Sequence, residues 1–280
     1  MIYSHNWSIM DYRDLKSIWG GSMGIFDGFK KKKLLNNGAK LINQKMYEDS
    51  LEYFDKALEI DPNFDYAWYN KGYALFNIGN FHEANVSIDK FLEINPENVH
   101  VFSALFIKAS GLFMLKEYQK QLELSNELIE ISENSLEKLY ALNIKSNALL
   151  KLEQYDESEI IIDNILNEDS ESESALVNKA TILSEQGNYH EAIVYYENSL
   201  EIYNKKISDY NSNKTKGQVL LPEKMLNNIL SEIYVNKGKA HQKLQETAKA
   251  LECYNIALKL DPEYKEAQKA IKLQDVNSYE

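Results

Sequence analysis

An aromatic residue recurs along this chain at nearly constant intervals, and this interval constrains the fold more than any other feature. The recurring residues are Tyr47, Phe81, Tyr118, Tyr155 and Tyr189, at spacings of 34, 37, 37 and 34 residues. Two of them lie in nearly identical phrases, GNFHEA at 79–84 and GNYHEA at 187–192. A period of about 34 residues with few strand signals predicts an array of helical hairpins that bury their apolar faces against one another.

The phrase GNFHEA is predicted to be the turn inside one such hairpin. Before it, the apolar residues of 65–77 fall on one face of a helix. After it, a second helix is predicted over about 82–94, ending before Pro96 because proline cannot continue a helix without losing a hydrogen bond. A metal site is not predicted, because neither His-Glu pair is followed by a second His one helical turn later.

This pattern resembles the tetratricopeptide repeat, whose signature is W-x2-L-G-x2-Y, then A-x3-F, then A and P. In the clearest copy the matching residues are Trp68, Gly72, Ala84, Ile88 and Pro96. The resemblance covers six units in register, at 31–64, 65–98, 102–135, 139–172, 173–206 and 231–264. It implies an all-α fold, a right-handed superhelix of about six antiparallel helical hairpins, with residues 265–280 as a capping helix and tail.

Residues 207–230 depart from the repeat and are predicted to extend one hairpin. The helix before them is expected to run from about His190 towards Tyr210. A new helix is expected from Pro222-Glu223 to about Lys243, since proline is favoured in the first turn of a helix. The polar stretch 211–218 is predicted to be the loop at the tip of this hairpin.

Residues 1–30 form an extension before the repeats, and two interpretations of its first part are open. Residues 1–22 contain Arg13, which is the single Arg of the chain, and no Glu. The Trp-Gly-Gly codons shortly before Met23 place a G-rich tract where a prokaryotic ribosome-binding site would lie. We therefore expect either that translation starts at Met23 or that residues 1–22 are a genuine flexible extension.

The composition narrows the classes of function. A net charge of −12, with one Arg among 31 basic residues, argues against nucleic-acid binding. Cys253 is the single cysteine, which suits the reducing cytoplasm, and no apolar run is long enough to predict a membrane span. Because no nucleophile–base set, phosphate-binding glycine loop or metal constellation appears, we expect neither catalysis nor a cofactor.

Acidic and basic residues are concentrated in different segments of the chain. Residues 152–178 hold nine acidic residues and no basic one, whereas residues 205–243 hold eight Lys. We interpret both segments as solvated surface. The alternative is that the Lys-rich segment is a binding site.

Function is expected from the face that the first helices of the hairpins turn towards the concave side of the array. Aromatic and amide side chains concentrate there in the second to fourth units: Tyr66, Tyr69, Asn70, Tyr73, Phe76, Phe106, Phe113, Tyr140, Asn143 and Asn147. The resemblance implies a protein–protein interaction scaffold or adaptor that binds a peptide segment of a partner in this groove. The alternative is a structural or self-assembling module whose groove holds its own Ile25, Phe26 and Phe29.

Overall fold

The fold is described from a computed structural model covering residues 25–212 and 223–277, with side chains over 27–209 and 226–273. The expectations for residues 1–24, for most of the polar loop and for residues 278–280 fall outside the described residues. The described residues form thirteen α-helices and no strand. The predicted all-α array of helical hairpins with a C-terminal helix is therefore confirmed.

The helices follow one another in pairs of a first and a second helix, joined by tight turns. In chain order they are α1 (Ile25–Asn43), α2 (Tyr47–Ile60), α3 (Asp65–Asn77), α4 (Phe81–Ile94), α5 (Val101–Met114), α6 (Tyr118–Glu130), α7 (Ser135–Lys151), α8 (Tyr155–Glu168), α9 (Glu173–Glu185), α10 (Tyr189–Ser212), α11 (Glu223–Lys243), α12 (Thr247–Leu260) and α13 (Lys265–Asn277). The second helix of the hairpin with GNFHEA begins at Phe81, one residue before the predicted start.

The described residues divide into two compact units, 25–148 and 149–277. The core of the first unit contains the fully buried side chains of Phe54, Ile88 and Phe91. The core of the second unit is built around tyrosines, among them Tyr196 and Tyr203, each with 1% of its surface exposed. Each unit therefore has its own apolar core, as expected when neighbouring hairpins bury one another's faces.

The same backbone turn closes all six first helices. The residues in the left-handed conformation, with φ between 60° and 87°, are Lys45, Gly79, Lys116, Glu153, Gly187 and Gln245. In the second hairpin the Gly79 amide donates to the carbonyl of Phe76 at 3.1 Å, and the Asn80 amide donates to that of Leu75 at 2.9 Å. These two bonds are the Schellman ending of a helix, and equivalent bonds recur at the other five turns.

Helices α10 and α11 are the longest, at 24 and 21 residues, as the sequence predicted for the extended hairpin. Beyond the normal repeat length, Tyr203 and the partly buried Ile207 on α10 share one apolar cluster with Leu226 and Leu230 on α11. Isolated helical extensions are marginal in water, so this paired apolar seam is what keeps both helices continuous.

Candidate binding face

The candidate binding face is formed by α3, α5 and α7 in the first compact unit, residues 25–148, and we call it the α3/α5/α7 face. Helix α3 packs against both α1 and α5, so successive first helices lie side by side. The rings of Phe106 on α5 and Tyr140 on α7 meet edge to face, with centroids 6.1 Å apart. All ten site residues predicted from the sequence belong to these three helices.

Half of the ten predicted residues are buried beneath this face and half reach its surface. The buried residues are Tyr66, Tyr69, Asn70, Phe106 and Asn143, each with at most 7% of its surface exposed. The partly exposed residues are Tyr73, Phe76, Phe113, Tyr140 and Asn147. The chain thus presents a smaller aromatic surface than the sequence suggested, supported from below by a second set of aromatic side chains.

Tyr69 shows how the buried residues beneath the α3/α5/α7 face are packed. Its ring lies 5.3 Å from the ring of Phe91 on α4 and 5.7 Å from that of His100, which precedes α5. Burial raises the pKa of its hydroxyl, and a hydrogen bond with Ser103 opposes this shift. Tyr69 is therefore a neutral side chain that ties α3 to the next hairpin.

The two buried amides bond to their own helices. Asn70 Nδ2 donates to the carbonyl of Tyr66 at 2.8 Å, and Asn143 Nδ2 donates to that of Leu139 at 3.0 Å. Asn147 is therefore the predicted amide residue that is partly exposed on this face.

The partly exposed aromatics pair with the aromatic residues that mark the period. Phe76 lies 5.5 Å from Phe81, and Phe113 lies 5.7 Å from Tyr118, measured between ring centroids. Each pair joins the end of a first helix to the start of the second helix of the same hairpin. Because both pairs are five residues apart in the sequence, this spacing was a signal that could have placed them before the structure was known.

Tyr73 and Tyr47 form a related contact between hairpins. Their rings lie 6.4 Å apart in an edge-to-face arrangement. Burial is the main cause that raises the pKa of Tyr73 to about 12, so its hydroxyl stays protonated and can donate a hydrogen bond at neutral pH. The sequence marks Tyr47 only as one of the recurring aromatic residues, and its place beside the candidate face is visible in the structure alone.

A second concavity, of about 470 Å³, lies in the second unit between α10, α11 and α12. Polar side chains line it in bonded pairs: Lys237 with Glu197 at 2.7 Å, and His241 Nδ1 with Glu246 at 2.6 Å. Cys253 also lines it, and burial raises the pKa of its thiol. A neutral thiol beside paired charges offers no activated nucleophile.

Metal-binding clusters and membrane-spanning helices would each be visible in the described part of the chain. No group of three or more His, Cys, Asp or Glu side chains there is arranged to hold a metal ion. None of the helices described is both long and apolar enough to cross a membrane.

The fold and this face define a helical-hairpin repeat protein, and comparisons with known proteins identify the kind of repeat. Family models described as tetratricopeptide repeat match residues 41–64, 53–84, 174–208 and 231–264. An uncharacterized protein from Methanocaldococcus jannaschii is 32% identical over 71 residues, which are 25% of this chain and 83% of that protein. The chain belongs to the tetratricopeptide repeat family.

Solved structures share the fold at low sequence identity. PilW, a type IV pilus biogenesis factor, superimposes with a TM-score of 0.62 at 14% identity, covering 89% of this chain and 99% of PilW. A tetratricopeptide repeat protein from Parabacteroides merdae gives 0.59 at 19% identity, covering 88% and 99%. MamA from Desulfovibrio magneticus gives 0.56 at 19% identity, covering 66% and 98%. These likenesses establish the fold alone.

Proposed function

We propose that this protein is a scaffold or adaptor without catalytic activity, and that it binds a peptide segment of a partner protein on the α3/α5/α7 face. The tetratricopeptide fold favours a protein–protein interaction module. The observation that carries the finer proposal is the row of partly exposed aromatic side chains, Tyr73, Phe76, Phe113 and Tyr140, across three adjacent first helices. Aromatic anchors of this kind supply much of the affinity in protein interfaces.

The chemistry of the face defines the ligand. Aromatic surface with a neighbouring amide, Asn147, suits a short segment rich in apolar side chains whose backbone meets one or two polar groups. The face offers no cluster of Arg or Lys among its predicted residues, so a terminal carboxylate is not the expected anchor. We further propose that the protein acts in the cytoplasm and binds no nucleic acid, which its single, buried cysteine and its net charge of −12 support.

The alternative of a self-occupied face receives less support. It requires Phe29 to enter the groove, but Phe29 lies on α1 with 62% of its surface exposed. The side chains of the other two candidate occupants, Ile25 and Phe26, lie outside the residues whose side chains are described. An N-terminal segment that fills the face is therefore one of the results that the following experiment distinguishes.

The test is selection of peptides from a random displayed library against the full chain, followed by calorimetry on the selected sequences. We expect apolar peptides that compete with one another for one site. Failure of the full chain to select any peptide, together with selection by a chain in which Ile25, Phe26 and Phe29 are replaced by Ser, would show that the N-terminal segment occupies the face. Failure of both chains would contradict the proposal.

A further inference from the structure

The second helices of several hairpins carry an exposed aliphatic residue at one repeated position. It is the sixth residue of the helix: Val86 on α4, Ile160 on α8 and Val194 on α10, with 59%, 64% and 51% of the residue surface exposed. The last two belong to consecutive hairpins of the second unit. Equivalent positions of consecutive repeats face the same way, so Ile160 and Val194 are exposed on the same side of two consecutive second helices, and we call this pair of positions the α8/α10 ridge.

Acidic residues border this ridge. Asp156 and Glu157 are exposed in the first turn of α8, and Glu191 is exposed in the first turn of α10. Helix α8 itself contains no basic residue. Exposed apolar side chains inside a polar rim are the usual composition of a protein-binding surface, and here the rim is negative.

Helix α1 carries an exposed aromatic residue beside basic residues, which is the chemical complement of an apolar ridge with an acidic rim. Phe29 is 62% exposed, and Lys30 and Lys33 beside it are exposed as well. Phe29 and Lys33 are four residues apart and Lys30 and Lys33 three apart, so all three lie on one face of the helix. We call this the α1 face, and it presents an aromatic side chain with a positive rim on a chain whose net charge is −12.

We propose that the α1 face of one copy of this protein docks on the α8/α10 ridge of a second copy. Phe29 then packs against Ile160 and Val194, while Lys30 and Lys33 meet Asp156 and Glu157. The two surfaces differ, so the contact is heterologous: the first copy keeps its α8/α10 ridge free, and the second keeps its α1 face free. Such contacts add copies head to tail until the assembly closes or continues as a fibre.

The experiment is sedimentation velocity of the full chain over a series of concentrations at low salt. We expect the mean sedimentation coefficient to rise with concentration. Lys30→Glu with Lys33→Glu should keep the chain monomeric, and Asp156→Lys with Glu157→Lys should do the same, because each change places like charges opposite one another. An equimolar mixture of the two variants should assemble again, since every contact between unlike variants regains opposite charges.

Matched variants control for damage to the fold. Glu48→Lys with Asp49→Lys changes the same first-turn positions on α2, and Lys265→Glu with Lys269→Glu changes exposed lysines on α13. Both should assemble like the original chain. Ile160→Ser should weaken assembly by at least about tenfold, as expected for loss of a central apolar contact, whereas Val86→Ser at the equivalent position of α4 should leave it unchanged.

Three results would overturn the proposal. The first is a chain that stays monomeric at every concentration. The second is a mixture of the two charge-reversed variants that does not assemble. The third is assembly that survives both reversals but disappears when Tyr73 and Phe113 are replaced, which would assign the contact to the α3/α5/α7 face.

Discussion

Lys179 Nζ lies 2.6 Å from a carboxylate oxygen of Asp163, and this pair joins the second helix of one hairpin to the first helix of the next. Equivalent pairs occur at three further junctions, Asp55–Lys71, Asp89–Lys108 and Glu197–Lys237, at 2.6, 2.5 and 2.7 Å. The lysine side chains are 12–26% exposed and the carboxylates 52–55%. Each pair therefore contributes little to the free energy of unfolding, since partly solvated ion pairs are weak.

The junction between α6 and α7 departs from this pattern, because Asn126 stands at the ninth position of its helix, where the other four junctions have a carboxylate, and Lys145 stands at the position equivalent to Lys71. We expect Asn126→Asp to complete the series and to raise the free energy of unfolding by roughly 0.2–1 kcal/mol. Urea denaturation at low salt measures this gain. It should shrink in half-molar salt and should be missing when Lys145 is replaced by Gln; an equal gain in that background would show that the added charge acts elsewhere.

Glu159 lies 3.0 Å from the Nζ of Lys179 as a second partner and gives the junction between α8 and α9 a dependence on pH. A hydrogen bond from Lys179 is the largest cause that lowers the pKa of Glu159, burial opposes it, and a hydrogen bond from Gln186 adds to the lowering. A lowered pKa in the folded state means that the ionised carboxylate stabilises the fold above its unfolded pKa. This contribution is lost as the pH falls through the folded pKa, below the ordinary value of 4.5.

We therefore expect Glu159→Gln to lower the free energy of unfolding at pH 7 and to have little effect in acid, below the folded pKa. Denaturation curves across this pH range measure the difference. Glu201→Gln, at an exposed position of α10, is a control that removes the same charge. A Glu159 effect that keeps its size in acid would contradict the assignment to ionisation.

At the six turns, introducing a glycine and removing one are expected to change the stability of the fold in opposite directions. Lys116 adopts φ 60° and Gly79 φ 87°, a conformation that costs an ordinary L-residue roughly 1–2 kcal/mol. We expect Lys116→Gly to stabilise the chain by up to about 1 kcal/mol, because glycine removes the strain but loses more entropy on folding. Gly79→Ala should destabilise it, and Lys116→Ala should bring no gain because alanine keeps the strain. Thermal and urea denaturation would test all three, and stabilisation by Lys116→Ala would contradict the explanation.

The repeat period and the side-chain faces were sufficient to predict the hairpins and the long helices α10 and α11. Both depend on local patterns, namely the aromatic interval and the spacing of apolar residues along each helix. The left-handed turns at Lys45, Lys116 and Glu153 could be placed by alignment with Gly79, but not by the preference of those residues for that conformation.

The layering of the candidate face could not be predicted from the sequence. A position on a first helix shows that a side chain points inward, but what covers it comes from another hairpin. Tyr69 is buried because Phe91 and His100 lie against it, whereas Tyr73, one helical turn later, remains partly exposed beside Tyr47. The bonds of Asn70 and Asn143 to their own helices were likewise hidden, since an Asn can bond either to its helix or to a ligand.

This layering separates two effects of substitution at the α3/α5/α7 face. Phe113 and Tyr140 are partly exposed, so Phe113→Ala with Tyr140→Ala should weaken binding of a selected peptide by at least about tenfold, the loss expected for a deleted anchor. Tyr69 and Phe106 are buried, so replacing either with Ala should cost about 3–5 kcal/mol of stability and reduce binding only through unfolding. Tyr69→Phe keeps the packing and should leave binding unchanged.

Calorimetry with a selected peptide, together with denaturation of each variant, distinguishes these outcomes. The control is Lys239→Ala with Lys243→Ala on α11, where both lysines are exposed and far along the chain from the aromatic residues. That pair should change the affinity little, and so should half-molar salt, because the contact is apolar and not chiefly ionic. If the lysine pair matters more than Phe113 and Tyr140, or if binding collapses in half-molar salt, the peptide binds the Lys-rich segment 205–243 and the α3/α5/α7 face is not the site.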